Sequence, residues 1–332
     1  MDKLRFGIIG VGGRGMCNAK AVNARAVGDR PDIELVGTCD IRQERLDLCD
    51  TEGLAGRRFL DYRDLLDEGL DAVCINTDND QHCEQTLAAA ERGLHVYCEK
   101  PIALTVADAR KMVEATRNVA TVVNLSMRAA PGYQFMRQVL REERYGKLLC
   151  VGAVHPKPSG LLIQGKGHRA TNDPAVWGPI LMHDGVHISE WLRFMGGEVQ
   201  TVVARTKTTG PDPVNEEFIH AITTHDDDVL GALSYMAMPF IPAKQYAICE
   251  QASVWVDGAV LHVAKVGEED EELPVPPLPL GGDAYYVDEF VRAIREGHRP
   301  YATMEDGMEG QRIVEAIRRS GQTGELVQMA EV

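Results

Sequence analysis

Leu4-Arg5-Phe6-Gly7-Ile8-Ile9-Gly10-Val11-Gly12-Gly13-Arg14-Gly15 sets a short apolar, β-branched run directly before a cluster of glycines. After Gly10 the pattern changes to Met16, Ala19, Val22 and Asn23, the spacing of a helix. The order is therefore strand, turn, helix. Gly10 permits the tight turn, Gly12 and Gly13 let a pyrophosphate approach the backbone, and Gly15 lets the helix lie close on the strand. The unpaired N–H groups at the helix start then face the phosphates, with Arg14 offering a further charge contact.

A second apolar strand, Ile33-Glu34-Leu35-Val36-Gly37-Thr38-Cys39, ends in Asp40. It lies 25 residues past Gly15, where a dinucleotide fingerprint expects an acid about 20 residues on. Asn23 to Pro31 is expected to be an enlarged loop that takes up the excess. A carboxylate at this point accepts the ribose hydroxyls of NAD and repels the 2′-phosphate of NADP. Arg42, two residues later, can pair with that phosphate, so NADP stays open beside NAD.

Strand and helix patterns continue to alternate: Ala72 to Ile75, a helix from Gln81 to Arg92, His95-Val96-Tyr97-Cys98, a helix from Thr105 to Thr116, and Ala120 to Asn124. Such alternation predicts an α/β fold with a doubly wound parallel sheet. Ligands bind at the carboxyl ends of such strands, so Gly10 to Gly15, Asp40, Asn76 to Asn79, Glu99-Lys100-Pro101 and Asn124 should share one edge.

Beyond a crossover helix at Gly132 to Glu142 the texture changes to longer strands: Lys147 to Val154, Gln200 to Thr206, Phe218 to Thr224, Val229 to Met236, Val254 to Val256 and Ala259 to Val263. Few helices intervene, which predicts a mostly antiparallel sheet. Residues 1–125 are expected to form the dinucleotide-binding domain, and 126–332 a second α/β domain for substrate and oligomerisation. The acidic run Glu268 to Glu272 is expected to be a solvated loop, and helices near Tyr286 to Glu296 and Met304 to Ser320 close the chain.

With 332 residues and 44% hydrophobic composition, the chain can bury two cores. A net charge of −15 speaks against nucleic acid and anionic membrane as partners, since both need a cationic face. No window approaches the run of about 20 apolar residues that a span requires, and Met1-Asp2-Lys3 leads straight into a core strand, so a cytoplasmic protein is expected. The eight cysteines form no Cys-x-x-Cys pair and are expected to be reduced.

The sequence resembles the Gfo/Idh/MocA family, the glucose-fructose oxidoreductases and inositol dehydrogenases. The matching pieces are Gly10 to Gly15, Thr77-Asp78-Asn79-Asp80-Gln81-His82, Glu99-Lys100-Pro101, Asn124 with Arg128 and Pro131, Gly185-Val186-His187, Arg299-Pro300 and Ser320 to Gly324. The resemblance implies an N-terminal Rossmann domain and a C-terminal α/β domain whose large open sheet often builds a homo-oligomer, a dimer or tetramer. It also implies NAD(P)-linked oxidation or reduction of a sugar, cyclitol or related polyol. Asn76, Thr77, Asn79, His82, Glu99, Lys100 and Arg128 are implied at the cofactor. Asp78 stands where the family usually has proline, and His183 where it more often has aspartate.

Oxidising a secondary alcohol needs a base for the hydroxyl proton and a donor for the developing alkoxide. Lys100 suits the donor, and His187 matches the family's acid or base. Ile188, Trp191, Leu192 and Met195 give helical spacing, so His187 should start a helix. Asp184 offers the negative charge that His183 lacks. His183 and His187 also have the spacing of two metal ligands, but a site needs a third and Gly185 argues against a continuous helix, so no metal is assigned. His155, Lys157, His168, Arg169 and Trp177, with His183 and His187, are expected to line the polyol pocket. Two other functions stay open: an NAD-dependent glycosidase working by transient oxidation and elimination, and a non-catalytic ligand sensor.

Overall fold

The computed structural model describes residues 2–156, 173–208, 216–236 and 242–332. They form two compact units. The first takes Met1–Asn124 and Leu278–Met308, and the second Leu125–Pro277 and Glu309–Val332.

In the first unit the elements run β1 (Leu4–Ile9), α1 (Gly13–Val27), β2 (Ile33–Cys39), α2 (Gln43–Thr51), β3 (Arg57–Phe59), α3 (Tyr62–Leu66), β4 (Ala72–Ile75), α4 (His82–Glu91), β5 (His95–Cys98), α5 (Val106–Thr116) and β6 (Thr121–Val123). The six strands pair in the order β3-β2-β1-β4-β5-β6, all parallel. Helices cover both faces of such a sheet, so Phe6, Ile8, Val73, Val96 and Val122 are fully buried and the strands read as unbroken apolar runs.

Register brings the strand ends into one row, because Ile9 pairs with Cys39 and Ile75, Ile75 with Cys98, and Cys98 with Val123. The next residue of each strand continues the ladder: Gly10 N–H donates to Cys39 O, Asn76 to Ile9 O, Glu99 to Ile75 O and Asn124 to Cys98 O. Gly10, Asp40, Asn76, Glu99 and Asn124 thus leave the sheet along one edge. One expectation fails in detail. Asn23 to Pro31 is not all loop, because α1 continues to Val27 and stops at Gly28, whose N–H donates to Ala24 O.

The second unit contains α6 (Ser126–Ala129), α7 (Pro131–Arg141), β7 (Leu148–Pro156), α8 (Pro174–Trp177), a π-helical turn (Leu181–Gly185), α9 (Val186–Gly196), β8 (Val199–Lys207), β9 (Phe218–His225), β10 (Leu230–Met236), β11 (Lys244–Cys249), β12 (Ala252–Asp257), β13 (Val260–Lys265), β14 (Glu271–Pro274) and β15 (Val327–Gln328). Among the described residues its sheet has nine strands in the order β14-β13-β12-β11-β7-β10-β9-β8-β15. Every neighbouring pair is antiparallel except β7 with β10.

Alternation divides its faces. Val202, Ala204, Ile219, Ala221, Leu233 and Tyr235 join Trp191 and Leu192 in the core, while Val203, Ile222, Leu230 and Ile248 are exposed. The acidic run is not all loop either: Glu271–Pro274 is an edge strand on β13. Its charges suit an edge, and Glu271 accepts from Tyr145 Oη at 2.9 Å.

The chain then completes the first unit with α10 (Gly282–Glu296) and enters α11 (Met304–Thr323). The sequence expectation assigns α10 to the second domain, but Phe290 meets Phe6 edge-on at 5.8 Å and Tyr97 at 6.1 Å. Asp288 accepts from Arg25 Nη2 (2.9 Å) and Arg30 Nη1 (2.6 Å). Among the described residues no helix is long and apolar enough to cross a membrane.

Candidate functional site

The glycine turn is built by close approach. Gly10 holds φ at +76°, a left-handed conformation, and a Cβ there would stand 2.8 Å from the Asn76 backbone. At Gly15 a Cβ would fall 1.7 Å from Gly10 O. Gly12 and Gly13 differ, since a Cβ at either would meet no protein atom within 4 Å. Gly12 caps α1 without a side-chain hydrogen bond, and the first turn of the helix carries no acid. The start of α1, the positive end of the helix dipole, therefore borders open space, which fits an anion.

Asp40 sits beside this turn, almost wholly buried. Its Oδ2 accepts from Val11 N–H at 3.1 Å, and its Oδ1 from Arg42 N–H and Nε at 3.0 and 3.1 Å. Arg42 is therefore folded back onto Asp40. Gly10, Gly12, Asp40, Arg42, Asn76 and Thr77 all line one cleft of about 620 Å³. Cys39 at its floor stays a thiol, because burial pushes its pKa up to about 12.

The cleft has further walls that the sequence expectation leaves out. Ile41 and Leu60 line it while 86% and 55% exposed, and apolar side chains held open at the wall of a cleft fit a flat ring. Tyr62 and Arg63 also line it, with the Arg63 guanidinium 4.5 Å from the Tyr62 ring centre. The available signal was Ile41 itself, an apolar residue directly after the strand's terminal acid.

Next along the edge, Glu99 is buried. Its Oε1 accepts from Asn124 Nδ2 at 2.6 Å and Arg14 Nε at 3.3 Å, and its Oε2 from Lys100 N–H at 3.3 Å. Lys100 is half-buried at the turn after β5. Arg14 is the residue expected to offer the phosphates a charge contact. It pairs with Asp283 and Glu99, and its guanidinium carbon lies 5.7 Å from the Tyr286 ring centre.

His82 and Asn79 are buried behind the cleft. His82 Nδ1 lies 2.8 Å from Pro101 O and Nε2 3.2 Å from Thr77 O. A fully buried ring between two protein carbonyls braces the cofactor loop instead of lining it. Thr77 Oγ1 donates to Gln85 at 2.7 Å.

In the second unit the π turn runs directly into α9, correcting the expected break at Gly185. A Cβ at Gly185 would lie 2.2 Å from Leu181 Cδ1, so this glycine serves packing within the turn. His183 Nε2 is 3.8 Å from Asp184 Oδ1, and Trp177 meets the His183 ring edge-on at 5.8 Å. His187 is half-buried in the first turn of α9. His155 stacks on Tyr235, its register partner across β7 and β10, at 6.2 Å. Arg128, expected at the cofactor, is buried and pairs with Glu190, whose Oε1 also accepts from Arg193 at 2.6 Å. Lys157, His168 and Arg169 lie outside the described residues.

The description "oxidoreductase family, NAD-binding Rossmann fold" of the Gfo/Idh/MocA family fits residues 4–126, and that family's C-terminal domain fits residues 133–241. The chain belongs to the Gfo/Idh/MocA family. Its relatives include 1,5-anhydro-D-fructose reductase of Ensifer adhaerens, 28% identical over 89% of this chain and 91% of that protein. D-apiose dehydrogenase of Paraburkholderia graminis is 25% identical over 91% and 84%. The solved levoglucosan dehydrogenase, in complex with NADH and levoglucosan, has the same fold, with a TM-score of 0.88 at 20% identity over 99% of this chain and 100% of that one. As a Gfo/Idh/MocA member the chain is an NAD-binding oxidoreductase. The cleft fits that cofactor: the space beside Gly12 and Gly13 would take the pyrophosphate, Asp40 would meet the ribose and Ile41 with Leu60 the adenine.

Proposed function

We propose that the enzyme transfers a hydride between NAD and a secondary hydroxyl, or the matching carbonyl, of a sugar, cyclitol or related polyol. One observation carries this reading: the strand row that forms the dinucleotide cleft also delivers Glu99-Lys100-Pro101 at the end of β5. When bound, NAD accepts or returns the hydride at its nicotinamide ring. Lys100 donates to the reacting oxygen and stabilises its developing negative charge. The family resemblance gives His187 the part of acid or base for the hydroxyl proton, with Asp184 and His183 setting the charge around the imidazole. Trp177 and His155 give the substrate apolar and polar contacts. The names of the relatives, a 1,5-anhydro-D-fructose reductase and a D-apiose dehydrogenase, support a carbohydrate. The exposed apolar row on the open sheet supports a dimer or tetramer, which light scattering would test against the 36.5 kDa of one chain.

The test is absorbance of reduced nicotinamide when enzyme and NAD meet a panel of sugars and inositols. Lys100→Ala should lower kcat by roughly 10²- to 10⁴-fold. Product released with no net NAD reduction would move the assignment to the redox-neutral glycosidase.

A further inference from the structure

Arg14 stands between Gly13 and Gly15, in a turn otherwise shaped to face phosphates, yet it is not among the residues lining the cleft. Its Nε donates to Glu99, its Nη2 to Asp283, and its guanidinium lies over Tyr286. Glu99 in turn holds Asn124 Nδ2 and the backbone N–H of Lys100. We propose that Arg14 is a positioning residue for the Glu99-Lys100-Pro101 segment, and not a ligand of the cofactor's phosphates. This inference rests on the proposed role of Lys100 at the reacting oxygen.

The physical case is compensation of charge. A buried carboxylate needs a cation and hydrogen-bond donors. Arg14 supplies the charge, and its attachment to the start of α1 ties the glycine turn to the backbone that carries Lys100. Without the guanidinium, Glu99 becomes a partner for the ammonium of the next residue. Lys100 is then drawn onto the carboxylate, and the reacting oxygen loses its donor. Loss of a phosphate ligand at this position would act differently, weakening pyrophosphate binding and leaving the chemistry alone.

The whole protein carrying Arg14→Gln or Arg14→Lys separates the two. ADP-ribose, which has the pyrophosphate and lacks nicotinamide, is titrated calorimetrically, and kcat is measured at saturating NAD with a polyol that the wild type oxidises. Thermal melts check that each variant is folded. Arg14→Gln should bind ADP-ribose within twofold of wild type, keep its KM for NAD within threefold and lose at least tenfold in kcat. Arg14→Lys should recover part of that loss. Tenfold weaker ADP-ribose binding by Arg14→Gln would overturn the inference. Wild-type kcat in Arg14→Gln while Lys100→Ala is inactive overturns this inference alone. Activity that survives Lys100→Ala overturns the role of the lysine, and this inference with it.

Discussion

Alanine at Gly15 and alanine at Gly12 should fail in different ways. At position 15 the new methyl would stand 1.7 Å from Gly10 O and 2.8 Å from Gly10 C. Cβ contacts under 3.0 Å essentially do not occur, so the start of α1 must move off the Gly10 carbonyl by at least 1.3 Å, the difference between 3.0 and 1.7. Overpacking of this kind costs about 1–3 kcal/mol. At about 2–4 °C per kcal/mol for domains of 150–250 residues, Gly15→Ala should melt roughly 2–12 °C below wild type with no cofactor present. The same shift moves the N–H donors that face the pyrophosphate, and a loss of about 1.4 kcal/mol there weakens NADH tenfold. At position 12 a Cβ meets nothing within 4 Å. Gly12→Ala should therefore melt within about 2 °C of wild type, consistent with a surface change below about 0.5 kcal/mol. It should still lose at least tenfold in NADH affinity, because the methyl occupies space meant for phosphate. Melts without cofactor and NADH fluorescence titrations make the comparison. Wild-type NADH binding by Gly12→Ala would refute the cradle, and an unchanged melt for Gly15→Ala would refute the close packing of helix on strand.

Asp40→Ser removes the carboxylate that holds Arg42, so NADH should weaken about tenfold while NADPH gains a guanidinium for its 2′-phosphate; an unchanged preference in titrations with both cofactors would contradict this. Burial lowers the pKa of His82, His95 and His225. An imidazole depressed in the fold contributes stability that is fully present above its unfolded value of about 6.5 and is lost as pH falls through the folded value. Melting temperatures should accordingly fall below about pH 6, less steeply in His82→Gln; a midpoint that rises on acidification would sink the argument.

The first sheet was legible because each βα step leaves a local mark: a buried strand with no polar alternation, then a turn with glycine or an acid. The edge that collects Gly10, Asp40, Asn76, Glu99 and Asn124 follows from those marks and from the rule that parallel strands present their carboxyl ends together. The destination of Arg14 was not legible. Its partners lie 85 and 269 residues away, and no local pattern distinguishes an arginine bound for phosphate from one bound for a distant carboxylate. His82 was found by its motif but misplaced, since the motif does not say that the ring turns inward between Thr77 and Pro101. β11 and β14 were missed for opposite reasons. Lys244–Cys249 is short, with a polar start, and Glu271–Pro274 owes its strand conformation to pairing with β13 and not to its own acidic residues. In the second unit, Lys147 to Val154 and Phe218 to Thr224 were read close to their observed bounds, because alternation survives wherever one sheet face is buried.

The first unit is assembled from two separate stretches of chain, ending at Asn124 and resuming at Leu278. During translation its six strands emerge first, and at about 5–20 residues per second the stretch between them and α10 takes roughly 8–30 s to synthesise. For that interval Phe6 and Tyr97 lack the ring of Phe290, and Arg25 and Arg30 lack Asp288. A gene truncated after the sixth strand would freeze the protein at that stage, with an aromatic seam open to other nascent chains. The half that holds the cofactor begins first and is completed only after most of the other half has been made.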